Sequence, residues 1–261
     1  MPNHMTALGF QASTEEEFAD LAMTAATQGE PIQVSGGTYY CWASGVGIEL
    51  WAQVDQDGRL IGLNPHFSGA ARMRVRLIEP IAREHDSALD GAFYGWADPE
   101  ENVPVETDSV EYDSEETYQE DGQYPFVFDL PDFKCHESLT LPAIVTVQLA
   151  AFAHELRAFE NDETFHADAA DEDGETLKMA PESCIPSGTF SSPAESTVIF
   201  NGHVLETAQL TNPHTERTFY WARVRTLGGE YDVVADPEIV EGAIVAGGVI
   251  GGSAWLSGRI I

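Results

Sequence analysis

In the stretch "ASTEEEFADLAMTAATQG" apolar positions recur at helical spacing, so that Phe18, Leu21, Ala22 and Ala25 share one face before Gly29. Ser13 or Thr14 supplies an N-cap oxygen, with Glu16 or Glu17 three residues on as in a capping box. The pattern predicts a helix, preceded by a short strand in "HMTALGF". The period then falls to two. "PIQVSGGTYYCWA", "VGIELWAQVD" and "RLIGLNPHFSG" predict a strand meander with a hairpin at Asp57-Gly58. In "RMRVRLIEPIA" Arg72, Arg74 and Arg76 alternate with Met73, Val75 and Leu77, giving a strand with one basic and one apolar face.

Further along, "YPFVFDLPDF" predicts a strand. In "LTLPAIVTVQLAAFAHELRAFEND", Val145, Leu149, Phe152, Leu156 and Phe159 recur at helical intervals and Pro142 suits a first turn, which predicts a second helix. From Ser196 onward helical periodicity is absent. "STVIFNGHVLETAQLT", "RTFYWARVRTLG", "EYDVVAD" and the glycine-spaced tail "AIVAGGVIGGSAWLSGRII" predict strands, which is the arithmetic of a small closed barrel. This strand pattern resembles an OB-fold whose usual helix is shortened to "ADPEIVEG". The expected class is therefore α+β. A mixed or antiparallel sheet with two helices occupies residues 1–182, an acidic excursion runs over 98–122, a linker over 183–195, and an OB-like barrel over 196–261. "ESCIPSGTF" leading into the barrel and the "WLSGRI" end are similar to uncharacterised bacterial proteins of this size, a resemblance that implies no activity.

Composition narrows the function classes. The chain has 261 residues, with 44 acidic against 12 basic, and residues 98–184 hold 24 of the acids and 3 of the bases. Such a field repels phosphate backbones and anionic membranes. Lysine is nearly absent (Lys134 and Lys178), and an acidic, lysine-poor surface suits a salty cytoplasm. No apolar run approaches a membrane span and the first residues lack the pattern of a signal peptide, so the expected address is cytoplasmic. Three scattered cysteines (Cys41, Cys135, Cys184) predict reduced, mostly buried thiols.

Candidate chemistry is sparse. The sequence holds no G-x-S-x-G elbow, phosphate loop or dinucleotide fingerprint, and Cys135, His136, His154, His166 and Cys184 lack zinc-ligand spacing. The N-terminal β-α-β-β-β order resembles a module of the vicinal oxygen chelate family, which includes glyoxalases. That resemblance implies a divalent metal held by His4 and Glu49, and a metal-dependent lyase or dioxygenase activity; a second module to complete the ligand set is missing. No other cofactor is expected.

The barrel offers a more physical argument. A period of two places Phe219, Trp221, Arg223 and Arg225 on one strand face, and Trp255, Ser257 and Arg259 on one face of the tail. Aromatics interleaved with arginines can stack bases and contact phosphates, or can pack against the first domain. The leading expectation is a non-enzymatic binding or interaction protein that uses the barrel. Its partner is a protein or small ligand; nucleic acid enters only at the barrel groove, and no membrane is involved. An acidic nucleic-acid mimic acting through residues 98–122 is the third reading.

Overall fold

In a computed structural model the described residues are 3–12, 14–81, 87–99, 122–168 and 179–261. Most of the acidic excursion, and the mimicry it suggests, therefore lies outside the described residues. α1 (Glu15–Gln28) forms as the periodicity predicts. Thr14 Oγ1 accepts from Glu17 N at 3.2 Å while Glu17 Oε2 accepts from Thr14 N at 3.1 Å, closing a reciprocal cap. Before it, "HMTALGF" is not a strand. Asn3 Oδ1 accepts from the amides of Met5 and Thr6, which winds Thr6–Leu8 into a 3₁₀ turn that ends at Gly9 with φ of 76°.

The meander is present. β1 (Glu30–Val34), β2 (Gly37–Gly45), β3 (Ile48–Asp55) and β4 (Leu60–Phe67) form one antiparallel sheet in chain order. A second, larger sheet holds the rest. It contains β5 (Met73–Ile81), β6 (Ala92–Ala97), β7 (Pro125–Asp129), β8 (Ala143–Phe159), β9 (Ser183–Ile185), β10 (Thr197–Thr211), β11 (Thr218–Thr226), β12 (Gly229–Ala235), β13 (Val240–Glu241) and β14 (Val249–Ile260). α2 (Asp162–Asp168) is a short helix after β8.

The expected α+β class is overturned: the protein is mostly β, and the segment expected as the second helix is the strand β8, 17 residues long. The physical reason lies in its burial. Leu149, Ala151 and Ala153 face one core, while Ala150 and Phe152 face another. A strand covered on both faces is apolar at nearly every position, and such a run matches helical spacing as readily as alternation. The β-branched run Ile144-Val145-Thr146-Val147 and burial on both sides decide for the strand.

β8 also overturns the barrel expected within residues 196–261. It pairs antiparallel with β14 over Val147–Phe159 and parallel with β12 at Ala150–Phe152. β14 pairs β10, β10 pairs β11 and β11 pairs β12, so the barrel that does form is a five-strand circuit that closes only through β8. A second circuit, β8-β5-β6-β7-β14, shares the same β8–β14 pair. Strands on both sides of 183–195 thus belong to one sheet. Gly252 and Gly258 let β14 approach its neighbours closely: a Cβ would lie 2.0 Å from Glu155 O of β8 at the first and 2.4 Å from the Phe128 ring of β7 at the second.

One core fills the circuits, with Phe126, Phe128, Leu149, Phe200, Tyr231 and Leu256 fully or almost fully buried. A second core joins the outer face of the barrel to α1 and the meander through Phe10, Leu21, Leu50, Phe152, Phe219 and Val234. Each such side chain removed from water contributes about 1.5–3 kcal/mol. The N-terminal segment is tied down as well, because Asn212 Nδ2 donates to Leu8 O at 2.8 Å and Thr215 Oγ1 to Gly9 O at 2.7 Å. No helix among the described residues is long and apolar enough to cross a membrane.

Candidate functional site

Alternation on β14 sends Ala254 and Leu256 into the barrel and Trp255, Ser257 and Arg259 outward. Opposite them, the register of β3 with β4 sets Glu49 beside His66 and Trp51 beside Asn64. These two faces, with the residues that follow β7, enclose a polar seam between the meander and the barrel.

At one end of the seam Arg259 is fixed by carboxylates and a ring. Its Nη1 and Nε donate to Glu49 Oε2 and Asp132 Oδ2, each at 3.3 Å, and its guanidinium lies 4.8 Å from the Trp51 ring centroid. Trp51 Nε1 donates to the same Glu49 oxygen at 3.0 Å. Burial acts to raise the Asp132 carboxyl pKa, but the His136 ring nitrogen 3.4 Å away and the Arg259 charge outweigh it, and the group stays below the usual carboxylate range.

At the centre stands His66, fully buried. Its Nδ1 is 2.9 Å from Ser257 Oγ and its Nε2 is 2.8 Å from Gln148 Oε1. Gln148 Nε2 donates to Phe67 O at 3.1 Å and to Asp232 Oδ2 at 2.8 Å. Asp232, itself fully buried, also accepts from Trp221 Nε1 at 3.0 Å and from the amides of Ala70 and Ala71. Burial pushes the His66 pKa down, so the ring is neutral at pH 7.

At the other end opens a cavity of about 390 Å³ whose walls include His4, Asn64, Asp90, Asp129, Trp255 and Ser257. The His4 and Trp255 rings stack with centroids 4.3 Å apart and planes within 8°. His4 Nε2 faces His154 Nε2 at 3.2 Å, so one ring donates and the other accepts. Burial and the neighbouring His154 lower the His4 pKa to about 4. Asp129 Oδ2 accepts from Trp255 Nε1. Asp90 Oδ1 accepts from Gln53 Nε2 at 2.5 Å and from Asn64 Nδ2 at 2.6 Å, and its Oδ2 from Ser87 N at 3.1 Å.

The residues expected at a barrel groove divide. Trp255 borders the cavity and Arg259 lies at the far end of the seam. Phe219 is buried, and both it and Trp221 pack on Phe67, with ring centroids 6.2 and 6.3 Å away. Arg223 is held by Glu206 and Glu230, and Arg225 by Glu182. Of the expected metal pair, His4 borders the cavity while Glu49 sits at the Arg259 end of the seam. His4 spends its Nε2 on His154, while one Glu49 oxygen serves both Trp51 and Arg259. Among the described residues no group of three or more His, Cys, Asp or Glu is placed to hold a metal ion. His154 is on a strand rather than a helix, and Cys135 is exposed while Cys184 is buried.

Sequence reasoning passed over His66, Gln148, Asp232 and, as a functional group, Ser257. One signal was available: Gln148 is a lone amide inside the apolar run "IVTVQLAAFA", and a buried amide requires partners. No family model matches the chain, no curated protein matches it at a significant level, and no solved structure does so either.

Proposed function

We propose that the protein binds a small cationic ligand with a flat apolar body, in the cavity where β14 and β4 meet the N-terminal segment. The observation that carries this reading is the pairing of chemistries on one wall set. The stacked His4 and Trp255 rings share the cavity wall with Asp90, a carboxylate whose hydrogen-bond donors on Gln53, Asn64 and Ser87 are all neutral. An aromatic face and a fixed carboxylate both favour a cation over a neutral or anionic guest. A volume of about 390 Å³ falls within the range of ligand clefts, roughly 300–1,000 Å³.

Asp90 is preorganised for this task, since three donors hold it in place before any ligand arrives. Ligand binding is also the class expected from the sequence. Its location moves from a barrel groove to the seam behind the barrel's outer strand. The pairing of Arg223 and Arg225 with glutamates favours a small ligand over a nucleic acid as partner.

Tryptophan fluorescence tests the reading. Titration with arylalkylamines should give a saturable change that disappears in Trp255→Phe, and a response flat to millimolar concentrations across the series would overturn it.

A further inference from the structure

The wall of the cavity formed by Ser257 is the end of a hydrogen-bonded chain whose direction is determined. Both amide protons of Gln148 are spent, one on Phe67 O and one on Asp232 Oδ2. Its Oε1 therefore accepts from His66 Nε2, which fixes the imidazole proton on that nitrogen. Nδ1 is left as a lone pair 2.9 Å from Ser257 Oγ, and the hydroxyl donates to it. A serine hydrogen-bonded to a base, with the base oriented by a third group, is the arrangement of an activated nucleophile.

We propose that Ser257 is a nucleophile with His66 as its general base, and that the cavity performs acyl transfer on carboxylic esters of amino alcohols. The inference rests on the cavity being a ligand site, and the Asp90 carboxylate selects the amino group. Ser257 Oγ attacks the ester carbonyl, forming an O–C bond as its proton passes to His66 Nδ1. The ester C–O bond then breaks and that proton leaves with the amino alcohol. Water attacks the acyl group next and gives a proton to Nδ1. The Ser257 O–C bond breaks, the carboxylic acid departs, and the proton returns to Oγ. Gln148 acts as a positioning residue: it holds the reactive tautomer while Asp232, cradled by four donors, holds Gln148. The neutral imidazole that burial maintains is the form able to take the serine proton.

The test is covalent trapping on the whole chain with an uncharged alkyl fluorophosphonate, read by intact mass and peptide mapping. A single adduct on Ser257 is expected, absent in Ser257→Ala and slowed at least about 100-fold in His66→Gln, the scale of general-base assistance. Because His66 is buried, the wild type supplies an independent readout: its labelling rate should fall on acidification while the circular dichroism stays native. No adduct on the wild type, an adduct that persists in Ser257→Ala, or a rate indifferent to pH would each overturn the proposal. An arylalkylamine titration that saturates while Ser257 stays unlabelled removes the acyl transfer and leaves the binding reading standing. A flat titration with Ser257 labelled removes the binding reading alone.

Discussion

Ser257 Oγ lies 2.9 Å from His66 Nδ1, a bond that joins the last strand of the large sheet to the last strand of the meander. Behind it, Gln148 and Asp232 continue the link through β8 and β12, so one hydrogen-bonded chain ties four strands from both sheets. A neutral, fully buried imidazole at its centre makes the seam dependent on pH.

The sign follows from linkage. Burial depresses the His66 pKa, so below about pH 6.5 the unfolded chain binds a proton that the native chain refuses. Stability from this group is present above that pH and declines as pH falls, by up to about 1.4 kcal/mol per pH unit. His4, lowered to about 4, adds a decline of the same sign between pH 6.5 and 4. His203 runs the other way: burial lowers its pKa, but the hydrogen bonds it donates to Asp162 and Glu182 outweigh this and raise it, so its stabilisation is lost as pH rises. Urea midpoints of wild type and His66→Gln at pH 8, 6 and 5 isolate the buried ring. The gap between the two proteins should narrow as pH falls, and a constant gap contradicts the assignment.

Arg259 neutralises two largely buried carboxylates at once. Arg259→Met strands Glu49 and Asp132, and because the arginine is itself partly exposed the cost should be about 2–4 kcal/mol in urea unfolding, somewhat below that of a fully buried pair. Adding Glu49→Gln to that variant should recover part of the loss, since one stranded charge is removed. A double variant no more stable than the single one argues against the ion pair.

The close packing of β14 against β7 is testable at Gly258. A Cβ there would meet Phe128 Cδ2 at 2.4 Å, and Phe128 is locked by its stack on Phe126 at 5.4 Å. Gly258→Ala should destabilise by about 1–3 kcal/mol through overpacking, visible as a lower Tm. Phe128→Leu in the same chain should relieve it.

Several of these features were legible in the sequence. α1 carries its own start signal in Thr14 and Glu17, and the two-residue period correctly places Trp255, Ser257 and Arg259 on one face of the tail. β8 was not legible as a strand, because its character comes from burial on both faces by partners distant in the chain. The N-terminal strand failed for a local reason, the side chain of Asn3 competing for backbone amides. The seam itself was illegible because its members, His66, Gln148, Asp232 and Ser257, come from four strands that only the packing of the meander on the closed circuit brings together.

On the proposed reading the cavity beside Trp255 selects a cation. Calorimetric titration with benzylammonium and with benzyl alcohol, which match in ring and differ in charge, measures this directly. The amine should bind at least about tenfold more tightly, a difference near 1.4 kcal/mol, and the preference should collapse in Asp90→Asn. Equal affinity for the two compounds, or a preference unchanged in Asp90→Asn, would rule out a cation site.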